Sequence, residues 1–221
     1  HQPDKGFTTQ IGNGHSLHAA SGLPVVCDFR SGNVAYGGQG APLVPIGDDL
    51  LFNDYEACLN LGGFSNVSFV RDNQRIAYDI CPVNILLNYL CQKAGKEYDD
   101  DGKMGKSGIL AMPLFEKLND VEYYKKSYPK SLGKEWLEAE IIPLVEQSPQ
   151  PIPDLLRTCT EHSALQISKA INSLKVKTVL LTGGGVYNSF LIELIKKSCN
   201  AELIIPDNNL IDFKEALIFA F

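Results

Sequence analysis

Four glycine- or carboxylate-bearing segments of this 221-residue chain combine residue types and spacings that can do chemistry. LNLGGFSN at 59–66 sets Gly62 and Gly63 between two apolar runs, with Asn66 just beyond. Glycine there permits positive φ and lets backbone N–H groups approach an anion with no Cβ in the way. A plain hairpin turn needs the same φ values, so both readings stay open. Another strand-like run follows, whereas a dinucleotide fingerprint needs a helix there. LLTGGGVYN at 180–188 is the reverse case: a strand-like run, then Gly183, Gly184 and Gly185, then a helical pattern past Asn188. Such a turn can offer helix N-terminal amides to a phosphate, and tight strand–helix packing can demand the same glycines. The GxxxxGK[ST] pattern of a P-loop does not occur. Asp79 closes a third strand-like run just before Cys81 and Pro82. A carboxylate at a strand end is placed as a general base would be, and equally as the N-cap of the helix that follows. GGQGAP at 37–42, with Asp28 and Arg30 upstream, is a flexible loop beside charged groups. An arginine there can clamp a carboxylate or phosphate through two parallel hydrogen bonds, or pair with a surface acid. His1, His15, His18 and His162 do not cluster with the cysteines, so no metal site is predicted. Glu97 and the acidic residues at 99–101 form a solvated turn without a catalytic role.

These groups need elements to hold them. LPVVCDFR at 23–30 predicts a buried strand, and the Gly/Pro-rich stretch at 31–49 a long functional loop. Three strands follow as a meander at 57–61, 67–70 and 75–80, with Asp72-Asn73 as a hairpin turn. The period then turns helical at 85–90, ending near Gly95, and again at 109–118. A segment at 136–147 is interrupted by Pro143, and a long helix at 155–174 takes Asp154 as N-cap. A strand at 178–181, a helix at 186–199, a strand at 202–205 and a last helix from 213 complete the order.

Lys and Arg number 20 against 26 Asp and Glu, a formal charge of −6, which argues against a phosphate-backbone binder and so against nucleic acid as partner. No apolar run approaches the roughly 18 residues of a membrane span, and no signal peptide is visible, which predicts a soluble protein without a membrane partner. The six cysteines lie in apolar or helical-looking stretches without a CxxC pair, which predicts reduced, buried thiols in the cytoplasm. The chain opens at HQPDKG without Met and stops inside the apolar run ALIFAF, which predicts a fragment.

Together these segments resemble the anhydro-N-acetylmuramic acid kinase family, of the sugar kinase, Hsp70 and actin superfamily. The resemblance is carried by TTQIGN at 8–13, VVCDFR at 25–30, GGQGAPLVP at 37–45 and LNLGGFSN. YDICPVN at 78–84, PKSLGKEW at 129–136, TGGGVYN at 182–188 and KEAL at 214–217 continue it in the family's order. It implies an α/β, ribonuclease H-like (actin-like ATPase) fold, a mixed sheet with flanking helices. Residues 1–52 would be the remnant of an N-terminal lobe with a sugar-site loop, and 53–221 nearly all of the C-terminal lobe. The family's first phosphate loop, a Gly-Thr-Ser segment, has no counterpart in this chain.

The resemblance also implies a reaction. ATP, with Mg²⁺, phosphorylates O6 of 1,6-anhydro-N-acetylmuramic acid while water opens the anhydro bridge, giving N-acetylmuramic acid 6-phosphate in peptidoglycan recycling. Asp79 matches the catalytic base. Arg30, Glu215, Gln10, Gly38 and Gln39 fall at sugar-binding positions. Gly62, Gly63, Asn66, Gly183, Gly184, Gly185 and Asn188 fall at nucleotide-binding ones. As partners it implies a small amino sugar and a second copy of the chain as a homodimer. The chain alone is expected to turn over little. A kinase of this fold for another sugar, and a non-enzymatic nucleotide-binding module, are the alternatives. The chain departs from the family at Ile80, Cys81 and Val83, where Thr, Gly and Gly are common, and at Asn33, where Asp is usual.

Overall fold

The computed structural model describes residues 9, 11–38, 40 and 42–221. The chain divides into two compact units, residues 1–51 with 215–221, and residues 52–214.

In the first unit, α1 (Gly14–Ser21) is capped by Asn13, whose side chain accepts from the Ser16 amide at 2.9 Å. α2 spans Phe29–Ala35 and α3 spans Val44–Leu51. The strand expected at 23–30 does not form. A strand exists only where a neighbour meets its backbone donors and acceptors. Among the described residues none pairs with this run; Leu23 and Val26 are 65% and 76% exposed, and Cys27 is exposed too. Asp28, at φ 64°, then turns the chain into α2. The long loop expected at 31–49 is likewise shorter, because α2 and α3 take up its ends. Pro45 falls in the first turn of α3, where its missing N–H costs nothing.

The second unit is built on one sheet. Among the described residues it has five strands: β1 (Ala57–Leu61), β2 (Phe64–Arg71), β3 (Gln74–Pro82), β4 (Thr178–Thr182) and β5 (Glu202–Ile204). Their order is β3-β2-β1-β4-β5, with β1, β2 and β3 antiparallel neighbours and β1, β4 and β5 parallel ones. This is the ribonuclease H-like mixed sheet that the resemblance implies. The β2–β3 turn is made by Asp72 and Asn73 at φ 52° and 59°. Two consecutive left-handed residues match the twist of the strands they join, and Asp and Asn tolerate that conformation.

Helices flank the sheet: α4 (Asn84–Lys93), α5 (Lys103–Ser107) and α6 (Met112–Asn119). α7 (Lys134–Trp136) runs through a π turn at Leu137–Ile141 into α8 (Ile142–Glu146), so Pro143 is absorbed in a first turn and does not interrupt the segment. The long α9 (Ile152–Leu174) packs on β3, α4, α5, α6 and α10 (Ser189–Ser198). It starts earlier than expected because Pro153 fits its first turn. Pro151, not Asp154, is therefore the N-cap, and the Asp154 carboxylate accepts from the Ile109 amide at 2.8 Å. α11 (Asn208–Ala220) is the last helix. Cys58, Cys81, Cys91 and Cys159 are buried free thiols, as expected; Cys27 is exposed and Cys199 only partly buried, against that expectation.

A polar network crosses the core beneath α9. The Asn119 amide nitrogen donates to the Phe115 carbonyl, so its oxygen is the acceptor for Gln166 at 2.7 Å and for His162 Nδ1–H at 2.9 Å. Nε2 of His162 is then left to accept from the Tyr124 hydroxyl at 3.0 Å, which makes the ring neutral. Burial pushes its pKa down to about 3. The folded chain refuses a proton that the unfolded chain takes below about pH 6.5. Stability is therefore complete above that pH and is lost as pH falls toward the folded value, by at most about 1.4 kcal/mol per pH unit. Urea unfolding from pH 7 to 4 is expected to show this slope, and His162→Gln to lack that part of it. Equal slopes would rule out a neutral buried ring.

Candidate functional site

The carboxyl ends of β1 and β4 lie side by side, with Asn60 paired to Thr182. β1 continues into a hairpin toward β2, while β4 leads the other way toward α10. In open sheets a crevice forms where neighbouring strands part in this manner. LGG and GGG thus meet, although more than a hundred residues separate them in sequence.

Neither Gly62 nor Gly63 takes a left-handed φ, against the expectation that this turn uses such values. Their carbonyls instead serve α4. Gly62 O accepts from the Asn84 amide at 3.2 Å, and Gly63 O from Val83 at 2.8 Å and Ile85 at 3.2 Å. The N–H groups of Gly62 and Gly63 find no acceptor among the described residues. The side chain of Asn84 also holds the first of these loops, donating to Leu61 O at 3.2 Å.

The steric demand on each glycine differs. Gly183 has φ 86°, and a Cβ there would lie 2.4 Å from Asn60 Oδ1 and 2.9 Å from the Leu61 carbonyl carbon. A Cβ on Gly185 would lie 2.8 Å from that of Leu61. Packing therefore accounts for both. Gly184 and Gly63 have ordinary φ, nothing nearer than 3.7 Å to a Cβ, and exposed positions. Neither backbone nor neighbours require glycine at these two places.

A row of polar side chains crosses the sheet beside these loops. Asp79 on β3 pairs with Asn66 on β2, Asn66 with Asn60 on β1, and Asn60 with Thr182 on β4. Directly paired residues project to one face, so all four share it. A β-bulge makes this possible for Asp79. The register passes from Ser65–Cys81 to Asn66–Asp79, leaving Ile80 unpaired and re-aiming the strand. On the opposite face Ser65 and Cys81 are buried under Ser163 of α9.

Asp79 does not cap α4, whose N-cap is Val83. Its Oδ2 accepts from the Leu132 amide at 2.8 Å. Burial, the larger effect, pushes its pKa up, and the Leu132 amide pulls it down. The net rise makes this a stronger base than an ordinary aspartate. Ile80, Cys81 and Val83 are core residues, at most 3% exposed, so the departures from the family sequence change the core beneath the site. Asn188 is the N-cap of α10, its oxygen committed to the Leu191 amide at 2.9 Å.

Arg30, Gly38 and Glu215 belong to the first unit. Arg30 makes neither a carboxylate clamp nor a surface ion pair among the described residues; it donates to the Gly40 carbonyl at 2.6 Å. Asn33 accepts from the Gly40 amide at 2.7 Å, and a Cβ on Gly38 would fall 2.1 Å from its oxygen. Arg30 and Asn33 together shape this glycine loop. Glu215 is exposed on α11. Gln10 and Gln39 lie outside the described residues. The sequence reading missed Asn60, Asn84, Thr182 and the Leu132 amide. The Asn of LNLGG, repeating the polar period of Asn66, was the one available signal.

The sequence profile of the anhydro-N-acetylmuramic acid kinase family matches residues 1–221. An anhydro-N-acetylmuramic acid kinase of Pseudomonas savastanoi pv. phaseolicola is 34% identical over all of this chain and 64% of its own length. The protein of the same name from Pseudomonas fluorescens is 35% identical, again over 100% and 64%. The chain thus spans somewhat under two thirds of these curated relatives. Among solved structures, the activator of 2-hydroxyisocaproyl-CoA dehydratase from Clostridium difficile superimposes with a TM-score of 0.49 at 17% identity, over 80% of this chain and 62% of that one.

Proposed function

The chain belongs to the anhydro-N-acetylmuramic acid kinase family, and from that premise we propose that the whole protein transfers the γ-phosphoryl group of ATP to O6 of 1,6-anhydro-N-acetylmuramic acid. Water adds to C1 as the C1–O6 bond breaks, O6 takes the phosphoryl group, and the products are N-acetylmuramic acid 6-phosphate and ADP. The observation that carries this reading is the pair of exposed glycines, Gly63 and Gly184, that no packing or backbone demand explains. Both flank Asn84, beside a row that ends in a carboxylate of raised pKa. A glycine kept without structural need leaves room for a ligand to touch the backbone.

On this reading the amides of Gly62 and Gly63 hold phosphate oxygens, and Gly183–Gly185 with Asn188 line the adenosine side. Asn66 and Asn60 orient what lies between. Asp79 takes the proton of the attacking water. Arg30, Gly38, Gln39, Gln10 and Glu215 serve the sugar. Among the described residues no three His, Cys, Asp or Glu side chains gather into a metal cage. Mg²⁺ bound with a nucleotide would be held by its phosphate oxygens and by water with few protein donors, so no such cage is needed. When bound, the ion neutralises charge developing on the phosphates. Residues 1–52 then represent part of an N-terminal lobe and 53–221 the C-terminal lobe, and this chain by itself turns over little. Among the described residues no helix is long and apolar enough to cross a membrane; a cytoplasmic homodimer is the proposed state.

The test is product mass. The full-length protein with Mg-ATP and 1,6-anhydro-N-acetylmuramic acid is expected to yield a product heavier by one phosphoryl group and one water. ATP binding without that product would move the assignment to another sugar or to a binding module.

A further inference from the structure

Asp79 is gripped at three points by one segment of chain. The bulge at Ile80 disturbs the ladder beside Asp79, and residues 123–132 supply other partners for its backbone. The Tyr123 hydroxyl donates to the Asp79 carbonyl at 2.6 Å. The Asp79 amide donates to the Lys130 carbonyl at 3.2 Å. The Leu132 amide donates to the carboxylate at 2.8 Å. The segment is itself fastened: the Lys130 ammonium donates to the Tyr123 carbonyl at 3.3 Å and sits 4.6 Å from the Tyr123 ring centroid. Tyr123 packs on Trp136 with ring centroids 5.1 Å apart, and Tyr78 stacks on Tyr128 at 5.5 Å.

We infer that residues 123–132 form a strap that positions Asp79, and that the Tyr123 hydroxyl is a positioning group for the reaction, acting through Asp79 without touching substrate. This rests on Asp79 being the base. A base must lie within hydrogen-bond reach of the proton it takes, and misplacement of about 1 Å can cost a hundredfold in rate. Among the described residues β3 is an edge strand, so beyond the bulge Asp79 has a strand neighbour on one side alone. The strap supplies partners to its N–H and C=O and adds a contact to the carboxylate. Burial pushes the Tyr123 phenol up, so it stays protonated and serves as a fixed donor. Tyr123 is the titratable group that faces Asp79 directly, with Lys130, Tyr78 and Cys81 around it.

The experiment uses full-length protein with Mg-ATP and 1,6-anhydro-N-acetylmuramic acid. Tyr123→Phe is expected to lower kcat about tenfold or more with KM within about twofold. Tyr124→Phe serves as the control, since its hydroxyl reaches His162 and not Asp79; it is expected to lower the unfolding midpoint and leave kcat alone. Leu132→Pro removes the amide donor, so the acid limb of the rate profile, and the Asp79 carboxyl titration followed by carbon-13 NMR, should both move to higher pH. If Asp79→Asn is inactive yet Tyr123→Phe matches wild type, or Tyr124→Phe loses as much kcat, the strap is overturned and the base stands. If Asp79→Asn stays active, the base reading falls. The carboxyl titration then decides the strap alone: an unmoved titration in Leu132→Pro overturns it, and a raised one keeps the hold on Asp79.

Discussion

Asp79→Asn in the full-length protein is expected to lower kcat by about 10²–10⁴ while the unfolding midpoint and Mg-ATP affinity stay near wild type. The substitution keeps the shape of the side chain and an oxygen for the Leu132 amide, so the strap and the bulge have no reason to move. It removes the one property that burial has sharpened at this position, the capacity to take a proton. Asp79→Ala is a poorer probe, because it also strands the Leu132 amide in a half-buried place, at a cost of about 1–3 kcal/mol. Turnover followed by ADP release, with thermal melts alongside, separates the two effects. An Asn variant within tenfold of wild type would remove Asp79 from the chemistry.

The second large effect sets two adjacent glycines against each other. Gly183→Ala forces a Cβ into Asn60 and the backbone of Leu61 at a φ that L-residues avoid. The strain and overpacking together are expected to cost about 3 kcal/mol or more, a fall of about 6–12 °C in the midpoint for a chain of this size. Gly184→Ala meets only Asn84 Nδ2 at 3.7 Å and should melt as wild type does. Its effect is expected on Mg-ATP instead, an affinity about tenfold weaker by calorimetry, as a methyl group now stands between ligand and backbone. If Gly184→Ala binds nucleotide unchanged, the glycine is not there for a ligand.

Much of this arrangement is legible in the chain because it is local. The meander at 57–82 shows alternation and a left-handed turn pair, and both follow from neighbours in sequence. The run at 23–30 shows why local pattern alone misleads. Val25 and Val26 have the residue types of a strand, but a strand is a relation between two segments, and among the described residues its partner is missing. Asp79 could not be divided between cap and base by spacing, because the answer lay in a bulge that shifts register by one residue. Asn60 and Thr182 escaped notice for the same physical reason. Their meeting depends on β1 pairing with β4, a long-range register that no window of sequence contains.

That pairing also sets the order in which the second unit can assemble. β1, β2 and β3 are joined by short turns and lose little chain entropy in meeting, so three members of the polar row, Asn60, Asn66 and Asp79, can come together early. Thr182 and the three glycines behind it arrive only once more than a hundred intervening residues have been gathered in, the slow kind of closure. The pair of glycine turns is therefore split between an early half and a late half. A nucleotide that needs both halves binds the finished unit alone, and by mass action it protects against unfolding only chains that have completed the last step.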